Sequence, residues 1–179
     1  MDIQVRYYTR SGNTQKLAEA IAAAVGATAE NIEIPLKEKA DILFLGCSYY
    51  AFDVDEAVKK FVLENKEKIG KIFCFGTSAM MKSTRKPMKK VADEAGVYLA
   101  SDEFHCRGSF WKVHKGRPNE ADLKSAAEFA KKVLKGLEAK GYVRRCRSSE
   151  DERVLMVEIT ENGEKLKEQA VDIPEKVAG

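Results

Sequence analysis

A short polar loop near the start of the chain has the composition of an anion-binding site. Residues 9–14 are Thr-Arg-Ser-Gly-Asn-Thr, and they fall between a predicted strand and a predicted helix. Backbone N–H groups at a helix start attract negative charge, and a glycine lets the backbone approach a ligand closely. The alternative is a capping turn, because Ser, Asn and Thr are common before helices. The predicted phosphate site comprises Thr9, Arg10, Ser11, Gly12, Asn13 and Thr14.

The elements around this loop alternate between strand and helix, which predicts an α/β fold with a doubly wound, five-stranded parallel sheet. In such folds ligands bind beyond the carboxyl ends of the strands, where the strand order reverses. One helix is missing before the third strand, unless residues 36–40 form a short one. The predicted strands are 3–8, 29–34, 41–46, 71–76 and 97–104, and the predicted helices are 14–25, 55–65, 84–95 and 119–140.

Composition excludes several classes of protein. The 179 residues are 44% hydrophobic and 33% charged, with a net charge of +3, which is typical of a globular domain rather than a strongly basic nucleic-acid binder. No apolar run is long enough to span a bilayer, and no secretory signal precedes the first strand, so we expect a cytoplasmic protein. Four cysteines without a CxxC pair, and only two histidines, argue against a metal site.

The loop Thr9-x-Ser11-Gly12-Asn13-Thr14 resembles the [TS]-x-[TS]-G-x-T loop with which flavodoxins hold the phosphate of FMN. The resemblance extends through residues 1–139 and is to the short-chain group of that family. It implies an FMN-binding domain in which the loops at 47–53 and 76–81 flank the isoalloxazine ring. Trp111 covers either the ring or the end of the sheet. The other cofactor-binding residues that the resemblance implies are Ser48, Tyr49, Tyr50, Ala51, Phe52, Thr77, Ser78, Ala79, Cys106, Arg107 and Gly108.

The resemblance implies an electron-transfer protein without catalytic side chains, since the flavin carries the redox chemistry. An FMN-dependent reductase that takes electrons from NAD(P)H is the first alternative. Unlike well-known flavodoxins, which are acidic around the flavin, this chain is slightly basic. A basic cluster on one loop and helix either forms a solvated face or predicts an acidic redox partner. The cluster consists of Lys82, Arg85, Lys86, Lys89 and Lys90.

Residues 140–179 extend beyond the flavodoxin-like segment. They predict a strand at 142–147, a polar turn, a strand at 153–159 and a helix that begins at Thr160. This is a β-hairpin followed by a short helix, which is too small to be an independent domain. Its apolar side chains must be buried, either on the preceding domain or against a second copy of the chain in a homodimer.

This tail resembles the wing of MarR-type winged-helix regulators. The resemblance is carried by Leu137–Val143, Arg147–Arg153 and Ile159–Gly163. It implies that Arg153, positioned by Asp151, would reach a DNA groove. The helix that should read the major groove is missing, so we expect no sequence-specific DNA binding. The remaining alternative is a flavin-linked regulator whose wing contacts DNA or another protein.

Overall fold

The computed structural model describes residues 1–50, 53–81, 83–147 and 155–165, and for residues 48–50, 143, 145–147 and 155–156 it describes the backbone alone. Parallel strands form the central sheet in the order β2-β1-β3-β5, with β6 and then β7 along the far edge of β5. The five-stranded parallel sheet predicted from the sequence is confirmed, with the fifth position shared by two short strands. The strands are β1 Ile3–Tyr8, β2 Ala29–Asn31, β3 Ala40–Tyr50, β4 Asp53–Val54, β5 Ile69–Ser78, β6 Tyr98–Leu99 and β7 Phe104–Arg107.

Helices cover both faces of the sheet. Helices α1 (Asn13–Val25) and α4 (Glu120–Ala139) share a core with Val5, Phe44 and Phe75. On the opposite face, α2 (Glu56–Asn65) and α3 (Arg85–Ala95) pack over Leu43, Leu45 and Ile72. The central strands are therefore buried on both sides, which explains why their sequences are nearly continuous apolar runs.

Local signals fix most helix ends. Gly26 and Gly96 end α1 and α3 with positive φ angles of 72° and 69°. Asp55 begins α2 by accepting a hydrogen bond from Ala57 N at 3.1 Å. Asn119 begins α4 with a reciprocal capping box, in which Asn119 and Asp122 each accept from the backbone N–H of the other. These ends agree with the sequence predictions to within one residue.

The predicted last strand, 97–104, is wrong, because the structure divides it into β6 and β7. The Ala100 N–H still bonds Ile72 O at 2.8 Å, but residues 101–103 leave the sheet. Here the Glu103 carboxylate accepts bonds from the backbone N–H and the hydroxyl of Thr84, both at 3.2 Å. Glu103 therefore supports the start of α3 while the strand is interrupted.

Residues 36–40 do not form the short helix considered above. After Asn31 the chain makes a turn closed by a 3.0 Å bond from Ile34 N to Asn31 O, and Leu36 is then buried beside α2. The Leu36 N–H bonds the Asn65 side-chain oxygen at 3.2 Å, and Lys68 Nζ donates to Leu36 O at 2.7 Å. Side-chain hydrogen bonds thus satisfy the backbone of Leu36, which no helix does here.

The C-terminal segment forms the predicted hairpin from β8 (Val143–Arg147) and β9 (Leu155–Ile159). Gly141, with a φ of +68°, ends α4, and the Tyr142 N–H returns to Leu137 O at 3.0 Å. On the other side of the hairpin, Thr160 caps a helical turn by accepting a bond from Gly163 N at 3.2 Å. Val157 packs against the α1–α4 core, so the hairpin is in contact with the preceding domain.

No helix in the described ranges is both long and apolar enough to cross a membrane.

Candidate flavin-phosphate site

The candidate site lies at the carboxyl edge of the sheet, where the strand order reverses. Strand β1 pairs with β2 on one side and β3 on the other, so the loop after β1 is at the switch point. The ends of β3, β5 and β7 lie along the same edge, because all four strands are parallel. The fold thus brings the segments that follow β1, β3, β5 and β7 to one edge of the sheet.

The loop after β1 presents the bare N-terminus of a 13-residue helix. Gly12 precedes α1 with a φ of +78°, and no described side chain caps the helix. The first backbone hydrogen bond of the helix runs from Lys16 N to Gly12 O. The N–H groups of residues 13–15 precede this bond and therefore have no acceptor within the helix. A β-carbon added to Gly12 would meet no atom within 4 Å. These features fit an anion held by backbone N–H groups.

The Thr9 hydroxyl is a second feature of this loop that folding alone leaves unexplained. Its oxygen is buried and has no hydrogen-bond partner among the described residues. A buried hydroxyl without a partner is destabilising, so such groups are rare unless a ligand or water satisfies them. Thr9 therefore fits the phosphate site as a hydroxyl that remains available for a ligand.

Asn13 and Thr14 instead tie the loop to the rest of the site. Thr14 is fully buried, and its hydroxyl oxygen lies 3.2 Å from that of Thr77 at the end of β5. The Asn13 side chain donates to Ser109 O at 2.9 Å. A β-carbon on Gly108 would lie only 3.0 Å from Thr77 Cβ, so glycine permits this close packing. The structure therefore brings together the end of β5 and the loops after β1 and β7.

Arg10 is placed at the site but is already paired. Its Nη2 lies 2.5 Å and its Nε 3.1 Å from Asp55 Oδ2, and this hydrogen bonding raises the pKa of the Arg10 guanidinium. Asp55 also caps α2, so the ion pair joins the loop after β1 to the loop after the β3–β4 hairpin. The pairing reduces the positive charge that Arg10 offers to a ligand.

The loop predicted at 47–53 is partly a β-hairpin. Residues 47–50 continue β3, and Tyr49 and Tyr50 pair antiparallel with Val54 and Asp53. The prediction of a loop from Cys47 is therefore wrong, because β3 extends past the sheet edge to pair with β4. Ser48, Tyr49 and Tyr50 are at the predicted edge, while Ala51 and Phe52 lie outside the described residues.

Ser78 and Ala79 are held in place by two histidines and an arginine. The Ser78 hydroxyl lies 2.9 Å from His105 Nε2 and donates to Met81 O at 3.2 Å. Arg107 Nη1 donates to Ala79 O and Met81 O at 3.0 and 3.1 Å, and His114 Nε2 lies 3.2 Å from Ala79 O. This network fixes the loop after β5, whose backbone the sequence predicted to face the flavin.

His105 is a site residue that the sequence interpretation missed. It pairs in register with Gly76, and burial lowers the pKa of its imidazole. A neutral ring with hydrogen on Nε2 donates to Ser78, whose own hydrogen is directed to Met81 O. The sequence signal that could have identified it is a histidine in the last strand, next to a strand that ends in Thr-Ser.

Cys106 lies at the edge of this region, and its thiol is unreactive. Its side chain is buried, and burial raises the pKa of the thiol to about 12, so the thiol is protonated at neutral pH. Within the described part of the chain, no group of histidine, cysteine and carboxylate side chains could hold a metal ion.

Solved structures of two flavodoxins and of a flavodiiron core share this architecture. A flavodoxin from Archaea matches with a TM-score of 0.59 at 17% identity, over 77% of this chain and 99% of its own. Flavodoxin 2 from Bacillus cereus matches with a TM-score of 0.56 at 16% identity, over 76% of this chain and 99% of its own. The Flv1 flavodiiron core from Synechocystis sp. PCC6803 gives 0.61 at 17% identity, and this chain spans 36% of it. The chain therefore has a flavodoxin-like fold.

A closer sequence relative defines the family. The uncharacterized protein MJ0298 of Methanocaldococcus jannaschii is 30% identical over 137 residues, which cover 69% of this chain and 91% of the archaeal protein. The chain belongs to the family of MJ0298.

The tail matches a different group of proteins. The model of the transcriptional regulators SarA/Rot matches residues 112–170. The organic hydroperoxide resistance transcriptional regulator of Bacillus subtilis is 49% identical over 47 residues, but this covers only 32% of that regulator and 26% of this chain. The likeness of the tail to a winged-helix segment is confirmed. The match to SarA/Rot also includes all of α4, which packs as a helix of the flavodoxin-like domain.

Proposed function

We propose that this chain is an FMN-binding, flavodoxin-like electron-transfer protein. The observation that carries the proposal is the uncapped start of α1 on the same loop as the buried Thr9 hydroxyl, which has no hydrogen-bond partner among the described residues. Both lie at the switch point of the sheet, where folds of this kind bind ligands. The flavodoxins among the matched structures support the choice of a flavin.

In this proposal, the N–H groups of residues 13–15 and the Thr9 hydroxyl bind the FMN phosphate. The backbone around Ser78 and Ala79, which His105 and Arg107 hold in position, lines the ring. Bound FMN would accept and release electrons, and the surrounding residues would set its potential through hydrogen bonds and stacking. We retain residues 48–52 and 106–108 as candidate ring contacts.

Anaerobic reduction of the FMN-loaded protein separates the carrier from a reductase. We expect dithionite to bleach the flavin absorption, while NADPH and NADH leave it unchanged over the same period. Rapid bleaching by a nicotinamide would show that the chain is a reductase, which is the first alternative. A protein that binds no FMN would exclude both functions.

A second candidate is regulatory contact with DNA, which the two matches to transcriptional regulators favour. The hairpin alone offers few phosphate contacts, so we propose that sequence-specific binding is absent. Fluorescence anisotropy with labelled duplexes at low salt tests this. Tight binding that weakens with salt and with Arg153→Ala would support the regulator instead. Arg153 and Asp151 lie outside the described residues.

A further inference from the structure

An apolar and basic loop projects from the rim of the candidate flavin site. It comprises residues 109–117, which we call the tip loop. Its base is closed by a 2.9 Å bond from Ser109 N to Arg117 O. The Asn13 side chain bonds Ser109 O at 2.9 Å, so the base of the tip loop touches the phosphate loop. The tip loop therefore has a fixed position beside the site.

The end of the tip loop is a tight turn that exposes large apolar side chains. Phe110 and Val113 exchange two backbone bonds of 3.0 and 2.9 Å. Between them, Trp111 has a φ of +50° and is 84% exposed, while Phe110 is 57% exposed. A positive φ is unfavourable for an aromatic residue, and the exposed ring contributes little to the core. Met80, 75% exposed, lies on the neighbouring loop that His114 contacts.

Positive charge accompanies these apolar side chains. The sequence has no acidic residue between Glu103 and Glu120, whereas four cations fall within that interval: Arg107, Lys112, Lys115 and Arg117. Arg117, at the base of the tip loop, is paired with Asp122 at the start of α4. Lys112 Nζ lies 5.4 Å from the centre of the Trp111 ring, and Arg107 donates to backbone carbonyls. Unlike Arg117, the other three cations are paired with no carboxylate among the described residues. The tip loop and its base therefore combine exposed apolar side chains with positive charge.

We propose that the tip loop and Met80 form the docking surface for an acidic electron-transfer protein. This rests on the proposed function, because a partner bound here would lie beside the flavin. Exposed Trp and Phe side chains accompanied by cations have the composition of an interface hot spot with a charged rim. Complementary charge both selects an acidic partner and accelerates its encounter. The surface differs from the basic cluster on α3, where Lys89 is paired with Asp93.

Calorimetric titration with two probes of opposite charge tests the proposal. The probes are a small acidic [2Fe–2S] ferredoxin and the basic cytochrome c, each at low and high salt. We expect the ferredoxin to bind with an affinity that falls as salt screens the charges, and cytochrome c not to bind. Trp111→Ala, and the double variant Lys112→Glu with Lys115→Glu, should each weaken ferredoxin binding at least about tenfold.

The matched control is Lys131→Glu with Lys135→Glu, which changes the same charge on the exposed face of α4. It should retain the affinity of the parent. The proposal would be overturned if the control lost as much ferredoxin affinity as the tip-loop variants, or if cytochrome c bound as tightly as the ferredoxin. It would also be overturned if the ferredoxin did not bind. Binding to anionic lipid vesicles without binding to the ferredoxin would assign the surface to a membrane instead.

Flavin binding is measured separately on every variant. Trp111 is the only tryptophan, so its fluorescence reports directly on this surface. If Trp111→Ala weakens FMN binding as much as ferredoxin binding, Trp111 is a flavin contact and the docking proposal fails. If the chain binds the ferredoxin through the tip loop but no FMN, the docking surface stands and the proposed function fails.

Discussion

Gly12 and Thr9 contribute to the candidate site in different ways. Gly12 supplies a backbone conformation, and its importance is visible in the sequence because a glycine between polar residues marks a loop before a helix. The special property of Thr9 is the burial of its hydroxyl without a hydrogen-bond partner in the described part of the chain, which depends on the surrounding fold. The sequence could therefore predict that both belong to the loop, but it could not predict that Thr14 is engaged with Thr77 while Thr9 is available.

Replacing Gly12 tests the phosphate assignment against a control with the same backbone strain. Gly12 and Gly96 both have a positive φ, and neither would place a β-carbon within 4 Å of another atom. We expect Gly12→Val and Gly96→Val to destabilise the protein by about 1–2 kcal/mol each. Only Gly12→Val should weaken FMN binding, by at least about tenfold, in a fluorescence titration. Equal FMN affinities in the two variants would contradict the assignment.

Thr9→Val removes the unpartnered hydroxyl while keeping the shape of the side chain. The flavin-free protein should become more stable by about 1 kcal/mol, because a buried polar group without a partner is lost. Binding of FMN should weaken at the same time, because a phosphate contact disappears. Urea denaturation and FMN titration measure the two effects. A less stable flavin-free variant would show that the hydroxyl already has a partner.

His105 predicts a specific dependence of stability on pH. Burial lowers the pKa of its imidazole, so the folded protein favours the neutral ring. This stability is present above the unfolded pKa of about 6.5 and is lost as the pH falls through the folded pKa. We therefore expect the parent to lose more stability than His105→Gln between pH 7.5 and 5. Urea denaturation at both pH values checks this, and identical losses would exclude His105 as the cause.

At the scale of elements, the sequence predicted what depends on local periodicity and missed what depends on contacts between elements. Burial on both faces made β3 and β5 evident as nearly continuous apolar runs, and caps such as Asn119 marked the helix ends. The extension of β3 to Tyr50 accompanies its pairing with β4, and the break between β6 and β7 accompanies the bonds from Thr84 to the Glu103 carboxylate. Such long-range contacts leave no periodic signal.

The junction between hairpin and helix depends on close packing at Gly163. A β-carbon there would lie 2.2 Å from Tyr142 O, whereas one on Gly136 in α4 would meet no atom within 4 Å. We expect Gly136→Ala to stabilise the protein by about 1 kcal/mol through helix propensity. Gly163→Ala should instead increase hydrogen exchange in residues 155–165 without changing FMN affinity. Unchanged exchange in Gly163→Ala would show that this packing is not required.

At the scale of the whole molecule, a segment that resembles flavodoxins packs against a segment that resembles winged-helix regulators. The flavodoxin-like sheet contains the candidate flavin site at one edge, and the winged-helix-like hairpin contacts the core between α1 and α4 through Val157. The basic tip loop lies on the rim of that site. Charge and the hydroxyl-rich loop could be predicted from the sequence, whereas the exposure of Trp111 required the fold.

The central claim is that the start of α1 holds the phosphate of FMN. Its most direct test is parallel equilibrium titration of the flavin-free protein with FMN and with riboflavin, which lacks the phosphate. We predict one FMN per chain and an affinity at least about tenfold higher than for riboflavin, since charge-assisted hydrogen bonds to the phosphate are lost. Equal affinity for both flavins, or no binding of either, would contradict the account.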